Sequence, residues 1–486
     1  MMLVDLIEKT NIIAENADLQ TEIRGISADT RTLNPGDIFV AVRGYEHDGH
    51  GYIGEAVRKG AACVLCEEAP SVSTPYVLVK NTRKALAAAS AAWFGNPASK
   101  LRIVGVTGTN GKTTVTCLIK HIIEQITGAK VGLIGTNGNM IGNRELHTER
   151  TTPESHEIQE LLSMMVQEGC RYAVMEVSSH ALSLDRVYGI EFEVGVFTNL
   201  TPDHLDFHDS MEDYAQAKAQ LFQNSRNTAA NIDDDNANVV TRGARGTVWT
   251  YALKRDSADL VAKNVRLRAD RVEFCALTIG NLTRIELHIP GICSVYNALS
   301  AVSASLLLGF GIESVAAALR TCSNVKGRSE VVPTESDATV LIDYAHTPDA
   351  LEKIIKAARE FSNGRVVTLF GCGGDRDKIK RPLMGGIAAM YSDFVVVTSD
   401  NPRTEEPGLI ISDIVAGMEN TKTPYRVIEN RREAIHWALG NSMPGDILIL
   451  AGKGHETYQI FGKEKRHFDE REVVAEFFST MRGSNQ

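Results

Sequence analysis

Apolar runs recur along this chain, and most lead into a longer stretch in which apolar positions return at helical spacing. LRIVGVTG precedes TTVTCLIKHIIEQI, and VVTLFGCGGD is followed by AAMYSDFVVVTSD. An uninterrupted apolar run bounded by turn residues is the pattern of a strand buried on both faces, and strand and helix in alternation make a mostly parallel sheet wrapped by helices. The expected fold is therefore α/β. In such sheets ligands bind beyond the carboxyl ends of the strands, and here those ends open into glycine-rich or Ser/Asp loops.

Turn signals divide the chain. GNPASK marks a boundary near residue 99, and KGRSEVVP before LIDYAHTPD marks another near 330, predicting domains at 1–99, 100–330 and 331–486. The first has a turn at Asp29-Thr30-Arg31 and an NPGD turn before IFVAV. The stretch from ANVV to HIPG, late in the second, alternates residue by residue and predicts a small antiparallel addition. Three domains suit 486 residues at about 150 per domain.

Composition narrows the function. With 51 basic and 61 acidic residues the formal charge is −10, which gives no general attraction to nucleic acid or anionic lipid. No run approaches the ~18 to 20 apolar residues of a membrane span, and Asp5, Glu8 and Lys9 interrupt the N-terminus where a signal peptide would be apolar, so a cytoplasmic protein without membrane insertion is expected. Eight cysteines are too few for a disulfide framework. The close pair Cys63 and Cys66 sits in an apolar run without further zinc ligands, so these read as reduced core thiols.

The strongest chemical signal is GVTGTNGKTT, 105–114, between an apolar strand and a helix. Glycines at 108 and 111 let backbone N–H groups close on phosphate oxygens, Lys112 neutralises the outer phosphates, and Thr113 offers a hydroxyl to Mg²⁺. The run departs from the strict phosphate-loop pattern, since Val106 stands where the first glycine belongs. YAVMEVSSH ends a strand in Glu176, where phosphate-loop proteins place a carboxylate for Mg²⁺. FTNLTPDHLDFH then crowds Asp203, His204, Asp206 and His208 into one turn, an oxygen-rich set with imidazole that suits Mg²⁺ or Mn²⁺ better than zinc. GCGGDRDK, 371–378, lacks dinucleotide-loop spacing.

TGTNGKTT, EVSSHAL, TNLTPDHLDFH, YAQAKAQLF, the GR at 327–328, DYAHTPD and DNPR, in this order over essentially the whole chain, resemble the Mur ligase family, most closely its diaminopimelate-adding branch. The resemblance implies three domains: one binding a UDP substrate, a central phosphate-loop ATPase with a mostly parallel sheet, and a C-terminal Rossmann-like domain for the amino acid. It also implies ATP and Mg²⁺ as cofactors, and as substrates UDP-N-acetylmuramoyl-L-alanyl-D-glutamate and meso-2,6-diaminopimelate. In that chemistry ATP phosphorylates a carboxylate and an amine displaces the phosphate.

Residue by residue, the resemblance assigns Gly108, Thr109, Asn110, Gly111, Lys112, Thr113 and Thr114 to ATP, with Asn297, Arg328 and Asp343 around its adenine, phosphates and ribose. Thr113, Glu176, His204 and Lys218, the last as a carbamate, match metal positions, and Lys112, Lys218 and His204 the catalytic ones. Thr30, Thr151, Thr152, Ser178 and Arg186 match contacts to the UDP substrate. Leu184 departs from the glutamine some relatives carry. Arg381, Asp400, Asn401, Pro402, Arg403, Gly452 and Glu456 match the diaminopimelate site. Arg403 also has a physical rationale: its guanidinium can grip the second carboxylate that diaminopimelate has and lysine lacks. Without the resemblance, Lys218 reads as a solvated helix lysine, the Ser and Thr residues as helix N-caps, and DNPR as a turn. A lysine-adding homologue, a folylpolyglutamate-type ligase and a nucleotide-gated binding module stay open as alternatives.

Overall fold

The apolar runs form buried parallel strands, as their pattern predicts. The computed structural model describes residues 1–484 except 45, 46, 147, 149, 206 and 323, and its chain groups into Met1–Val261 with Leu299–Val315, and Ala262–Ala298 with Ala316–Gln486. No helix among the described residues is long and apolar enough to cross a membrane.

The first unit opens with a sheet of β1 (Ile12–Asn16), β2 (Ile26–Ser27), β3 (Ile38–Val40), β4 (Cys63–Cys66) and β5 (Tyr76–Val79) in the order β1-β5-β4-β3-β2, parallel except for β1. Three residues apart on one strand, Cys63 and Cys66 face opposite sides and join different apolar clusters. Burial pushes their thiols up to about 12 and about 11. Neither is in a disulfide.

The larger sheet of this unit contains β6 (Arg102–Thr107), β7 (Val131–Ile134), β8 (Asn139–Ile141), β9 (Arg144–Leu146), β10 (Tyr172–Glu176), β11 (Phe192–Phe197), β12 (Ser225–Asn231), β13 (Thr247–Ala252) and the start of β14 (Leu260–Leu267). Its parallel core runs β12-β11-β6-β10-β7, and Ile103, Val104 and Val106 of β6 are all fully buried because helices cover both faces. The antiparallel addition expected late in this region is smaller than its alternation suggests. The helix Ala237–Val240 carries the chain back over the sheet, so β13 joins β12 in parallel, and Leu260 of β14 pairs in parallel with Tyr251. β15 (Val272–Thr278) and β16 (Asn281–Leu287), in the second unit, form an antiparallel ribbon.

The second unit holds β17 (Glu330–Val332), β18 (Thr339–Asp343), β19 (Val366–Phe370), β20 (Phe394–Val397), β21 (Tyr425–Val427) and β22 (Ile447–Ala451) in the order β17-β18-β22-β19-β20-β21, parallel except for β17. A hairpin of β23 (Tyr458–Phe461) and β24 (Glu464–His467) follows. In both units the parallel strands bring their carboxyl ends to one edge, where the glycine loop, Glu176 and the lining of the second unit's pocket lie.

Candidate active site

Between β6 and the helix Lys112–Thr127 the chain makes the glycine loop. Gly111 has φ 86°, a left-handed conformation that costs glycine little, and a Cβ on Gly108 would overlap the Thr198 hydroxyl. The loop is pinned from outside by the residues after β11. Thr109 N–H donates to Asn199 O (2.8 Å) and Asn110 N–H to Asn199 Oδ1 (3.0 Å), while Thr198 Oγ1 and Asn199 Nδ2 both donate to Asn110 O. Lys112 Nζ folds over the loop and donates to Gly108 O (2.8 Å) and Thr109 O (2.9 Å). Thr113 and Thr114 are buried in the first helical turn, where main-chain N–H groups and the helix dipole favour an anion.

Glu176, at the end of β10 and 1% exposed, meets Thr113: Thr113 Oγ1 donates to Glu176 Oε2 at 3.0 Å. Thr136 holds the same carboxylate through its N–H (2.8 Å) and hydroxyl (3.2 Å), and Thr151 Oγ1 lies 3.0 Å from Thr136 Oγ1. A buried carboxylate beside a hydroxyl is a hard-oxygen donor pair that fits Mg²⁺.

Lys218, on the helix Met211–Gln223, is 1% exposed, so the solvated-lysine reading fails. Burial, with Lys112 acting in the same sense, lowers its pKa well below the ordinary lysine value, against the opposing pull of Asp203. The predicted turn of ligands divides. His204 is largely exposed at φ 55°, with Asp203 at 3.6 Å, whereas His208 is buried with both ring nitrogens engaged, one 2.9 Å from Ser179 Oγ and the other 3.1 Å from Asp213 Oδ2. His208 is thus a structural tie. Asp206 lies outside the described residues. Among the described residues no three His, Cys, Asp or Glu side chains converge as a metal cluster.

Sequence reasoning overlooked Tyr214. This buried ring lies 4.3 Å from Lys218 Nζ and 6.1 Å from the His204 ring, and its hydroxyl is 3.2 Å from Thr109 Oγ1, linking three predicted residues. Only its spacing from Lys218, one helical turn, could have flagged it.

Residues assigned to the UDP substrate gather partly at the end of β10. Thr152 Oγ1 donates to Glu176 O (2.9 Å), Ser178 N–H donates to Thr152 Oγ1 (3.1 Å), and Arg186 Nη1 donates to Thr152 O (3.0 Å). Ser178 also caps the short helix Ser179–Ser183. Arg186 pairs with Glu154 at 2.9 Å, and it is Glu154, not a threonine of TTP, that caps the helix Ser155–Gln167. Thr30 is buried in the first sheet's layer, its carbonyl accepting from Lys59 Nζ at 2.7 Å.

In the second unit a pocket of about 220 Å³ opens at the carboxyl ends of β18, β19, β20 and β22. It is lined by Arg376, Lys380 and Arg403, by Asp400 and Glu456, and by Tyr344, His346, Asn401 and Gly452 among others. Arg403 takes φ 52°; its N–H donates to Ile460 O (3.0 Å) and its Nη1 to Gly374 O (2.8 Å). The glycines of GCGG make room for this loop: a Cβ on Gly374 would collide with Pro402 O, and one on Gly373 would stand 2.9 Å from Arg403 Nη1.

Two predicted residues do not face the pocket. Arg381 is fully buried, its guanidinium held by Glu405 (2.8 and 3.0 Å) and Asp413 (2.9 Å). Arg376, five residues earlier and before the helix Lys380–Tyr391, lines the pocket instead. Pro402 is buried in the turn beneath. Asp343 accepts from Ser329 N–H (2.6 Å) and Ala345 N–H (2.8 Å); burial raises its pKa while Arg328 lowers it. Arg328 lies 5.0 Å from the Tyr344 ring, and Asn297 is half-buried on the helix Ile292–Leu307.

Three family models match in succession: Mur ligase family, catalytic domain, over 22–95; Mur ligase middle domain over 106–305; and Mur ligase, glutamate ligase domain, over 327–454. The UDP-N-acetylmuramoyl-L-alanyl-D-glutamate–2,6-diaminopimelate ligase 1 of Clostridium acetobutylicum is 48% identical over 468 residues, 96% of each chain. The chain belongs to the Mur ligase family. Another Mur ligase with the same activity in its name, from Clostridioides difficile, is 41% identical over 99% of this chain and all of its own. A solved structure of such a diaminopimelate ligase superposes with a TM-score of 0.73 at 30% identity, covering 99% of both chains. The Thermotoga maritima MurF ligase in complex with ADP, at 18% identity and a TM-score of 0.62 over 96% of this chain and 99% of its own, shares the Mur ligase fold.

Proposed function

We propose that the protein is an ATP-dependent ligase that joins meso-2,6-diaminopimelate to the D-glutamate of UDP-N-acetylmuramoyl-L-alanyl-D-glutamate, a step of peptidoglycan precursor synthesis in the cytoplasm. The observation that carries the substrate choice is the pocket at the ends of β18, β19, β20 and β22. Three cations and two carboxylates line one cavity, the complement of an amino acid bearing two carboxylates and two amines. The named relatives support the same reading. The domains are read as 1–99, 100–330 and 331–486, a division supported by the succession of family matches.

A carboxylate is a poor electrophile. Transfer of the γ-phosphoryl group of ATP to the D-glutamyl carboxylate makes an acyl phosphate and releases ADP; the amine of diaminopimelate then attacks the acyl carbon, phosphate leaves, and the amine gives up a proton as the amide forms. In this reading the N–H groups of 108–114 cradle the phosphates and Lys112 swings from its loop carbonyls to neutralise them. Thr113 and Glu176 would hold Mg²⁺, joined by His204 and by Lys218 as a carbamate. When bound, that ion supplies charge neutralisation at the phosphoryl oxygens. Lys218 fits modification, since burial lowers its pKa and so favours the neutral amine, the form that is nucleophilic toward CO₂. Thr30, Thr151, Thr152, Ser178 and Arg186 are read as substrate contacts, and Asn297, Arg328 and Asp343 as adenosine and phosphate contacts. Arg376 takes the carboxylate role expected of Arg381.

The test is phosphate release from ATP with the UDP-muramoyl dipeptide and, in parallel, meso-diaminopimelate, L-lysine, L-ornithine or no amino acid. Strong stimulation by diaminopimelate alone is expected. Equal stimulation by lysine would overturn the amino-acid assignment, and no stimulation by any would overturn the ligase reading.

A further inference from the structure

Glu456 lines the pocket, yet its carboxylate is gripped from behind. Lys453 Nζ donates to Glu456 Oε2 at 2.9 Å, and Asn401 Nδ2 donates to the same oxygen at 3.0 Å. Lys453 also donates to Asn401 Oδ1 at 3.2 Å, and that oxygen accepts from Ile460 N–H at 3.0 Å. Lys453 is 0% exposed and does not line the pocket. The amide of Asn401, expected to touch the amino acid, is thus occupied by Glu456, Lys453 and the first strand of the β23–β24 hairpin.

This arrangement has an electrostatic consequence. A buried ammonium needs a counter-charge, and a carboxylate saturated on one oxygen by two buried donors is fixed in orientation and shares its charge with its partners. An amine entering the pocket therefore meets a rigid, partly neutralised acid. A side chain ending in a lone ammonium gains little there. A side-chain end that carries its own carboxylate, for Arg403 or Arg376, beside the ammonium gains more.

We propose that Lys453 is the positioning residue that sets amino-acid choice, acting through Glu456 and Asn401 to make the pocket select an ammonium–carboxylate end over a lone ammonium. The inference rests on the diaminopimelate reading. The experiment compares wild type, Lys453→Met, Glu456→Gln and the double variant, measuring KM for meso-diaminopimelate, KM for ATP, the preference for diaminopimelate over L-lysine, and Tm.

Lys453→Met is expected to raise the diaminopimelate KM on the order of 10- to 100-fold, to leave the ATP KM within about twofold, and to narrow the preference over lysine. In the double variant, where neither charge remains buried alone, the KM should be no worse than for Glu456→Gln. A merely structural lysine would instead give additive losses, or equal rises in both KM values, and either result overturns the inference. So does a double variant that fails to fold, because Lys453 would then belong to the core of the unit. A wild-type protein that diaminopimelate does not stimulate would overturn the substrate reading first and this inference with it; a stimulated wild type with an indifferent Lys453→Met variant sinks the inference alone.

Discussion

The glycine loop after β6 and the pocket of the second unit are both strand-end sites, but they are built from different material. Main-chain groups form the loop, and neighbouring hydroxyls and amides pin it: Thr198, Asn199 and Tyr214 hold Thr109 and Asn110 in place. Charged side chains form the pocket, and each has a support of its own, Arg403 on Gly374 O and Glu456 on Lys453 and Asn401. A backbone site offers the same donors to any polyphosphate. A side-chain site can be retuned one residue at a time, so selectivity belongs to the pocket and reactivity to the loop.

That contrast is open to attack, beginning with the largest effect. Lys112→Ala should lower turnover by about a thousandfold or more with every amino acid alike, because it removes charge from the reacting phosphates; a loss confined to the diaminopimelate KM in steady-state kinetics would erase the distinction. Lys218→Ala should cost on the order of a hundredfold in kcat and recover in part with added short-chain carboxylates, read as phosphate release with and without the additive. Full turnover without rescue would remove Lys218 from the reactive half.

Arg403→Ala should act on one substrate only, raising the diaminopimelate KM on the order of 10- to 100-fold with the ATP KM unchanged. Equal effects on both would merge the two sites. The smallest effect concerns Glu405, whose carboxyl the Arg381 guanidinium holds down at about 2. Because the folded value lies below the unfolded one, this pair stabilises the protein above about pH 4.5 and loses its contribution as pH falls toward 2. Glu405→Gln should therefore lower stability by up to about 1 kcal/mol at pH 7, and the Tm difference from wild type should close as the pH is lowered through that window. A pH-independent difference would mean the pair is not held by charge.

Local rules made one of these sites far more legible than the other. Gly108, Gly111, Lys112 and Thr113 stand next to one another between a buried strand and a helix, so their geometry follows from a few consecutive residues. The pocket draws on four strand ends between Tyr344 and Glu456, and no short window reports such a convergence. Arg376 and Arg381 illustrate the difficulty. They share one basic stretch, and what turns Arg381 inward is Glu405 and Asp413, supplied 24 and 32 residues later. The burial of Lys218 was beyond reach of local rules for the same reason, since nothing in YAQAKAQLF announces it, and only the family resemblance singled the residue out. Cys63 and Cys66 were simpler, because the alternation of a strand already sends residues three apart to opposite faces.

Tyr214 touches the glycine loop through its hydroxyl and lies under Lys218 through its ring, with Ala215, Gln216 and Ala217 between them on the helix. Those three residues act as a ruler. One residue added or removed there would turn Lys218 about 100° around the helix, away from the face Tyr214 occupies. Substitutions at Gln216, which points outward, should be borne easily while a change in length is not, so descent with modification is free to respell that position but not to recount the turn.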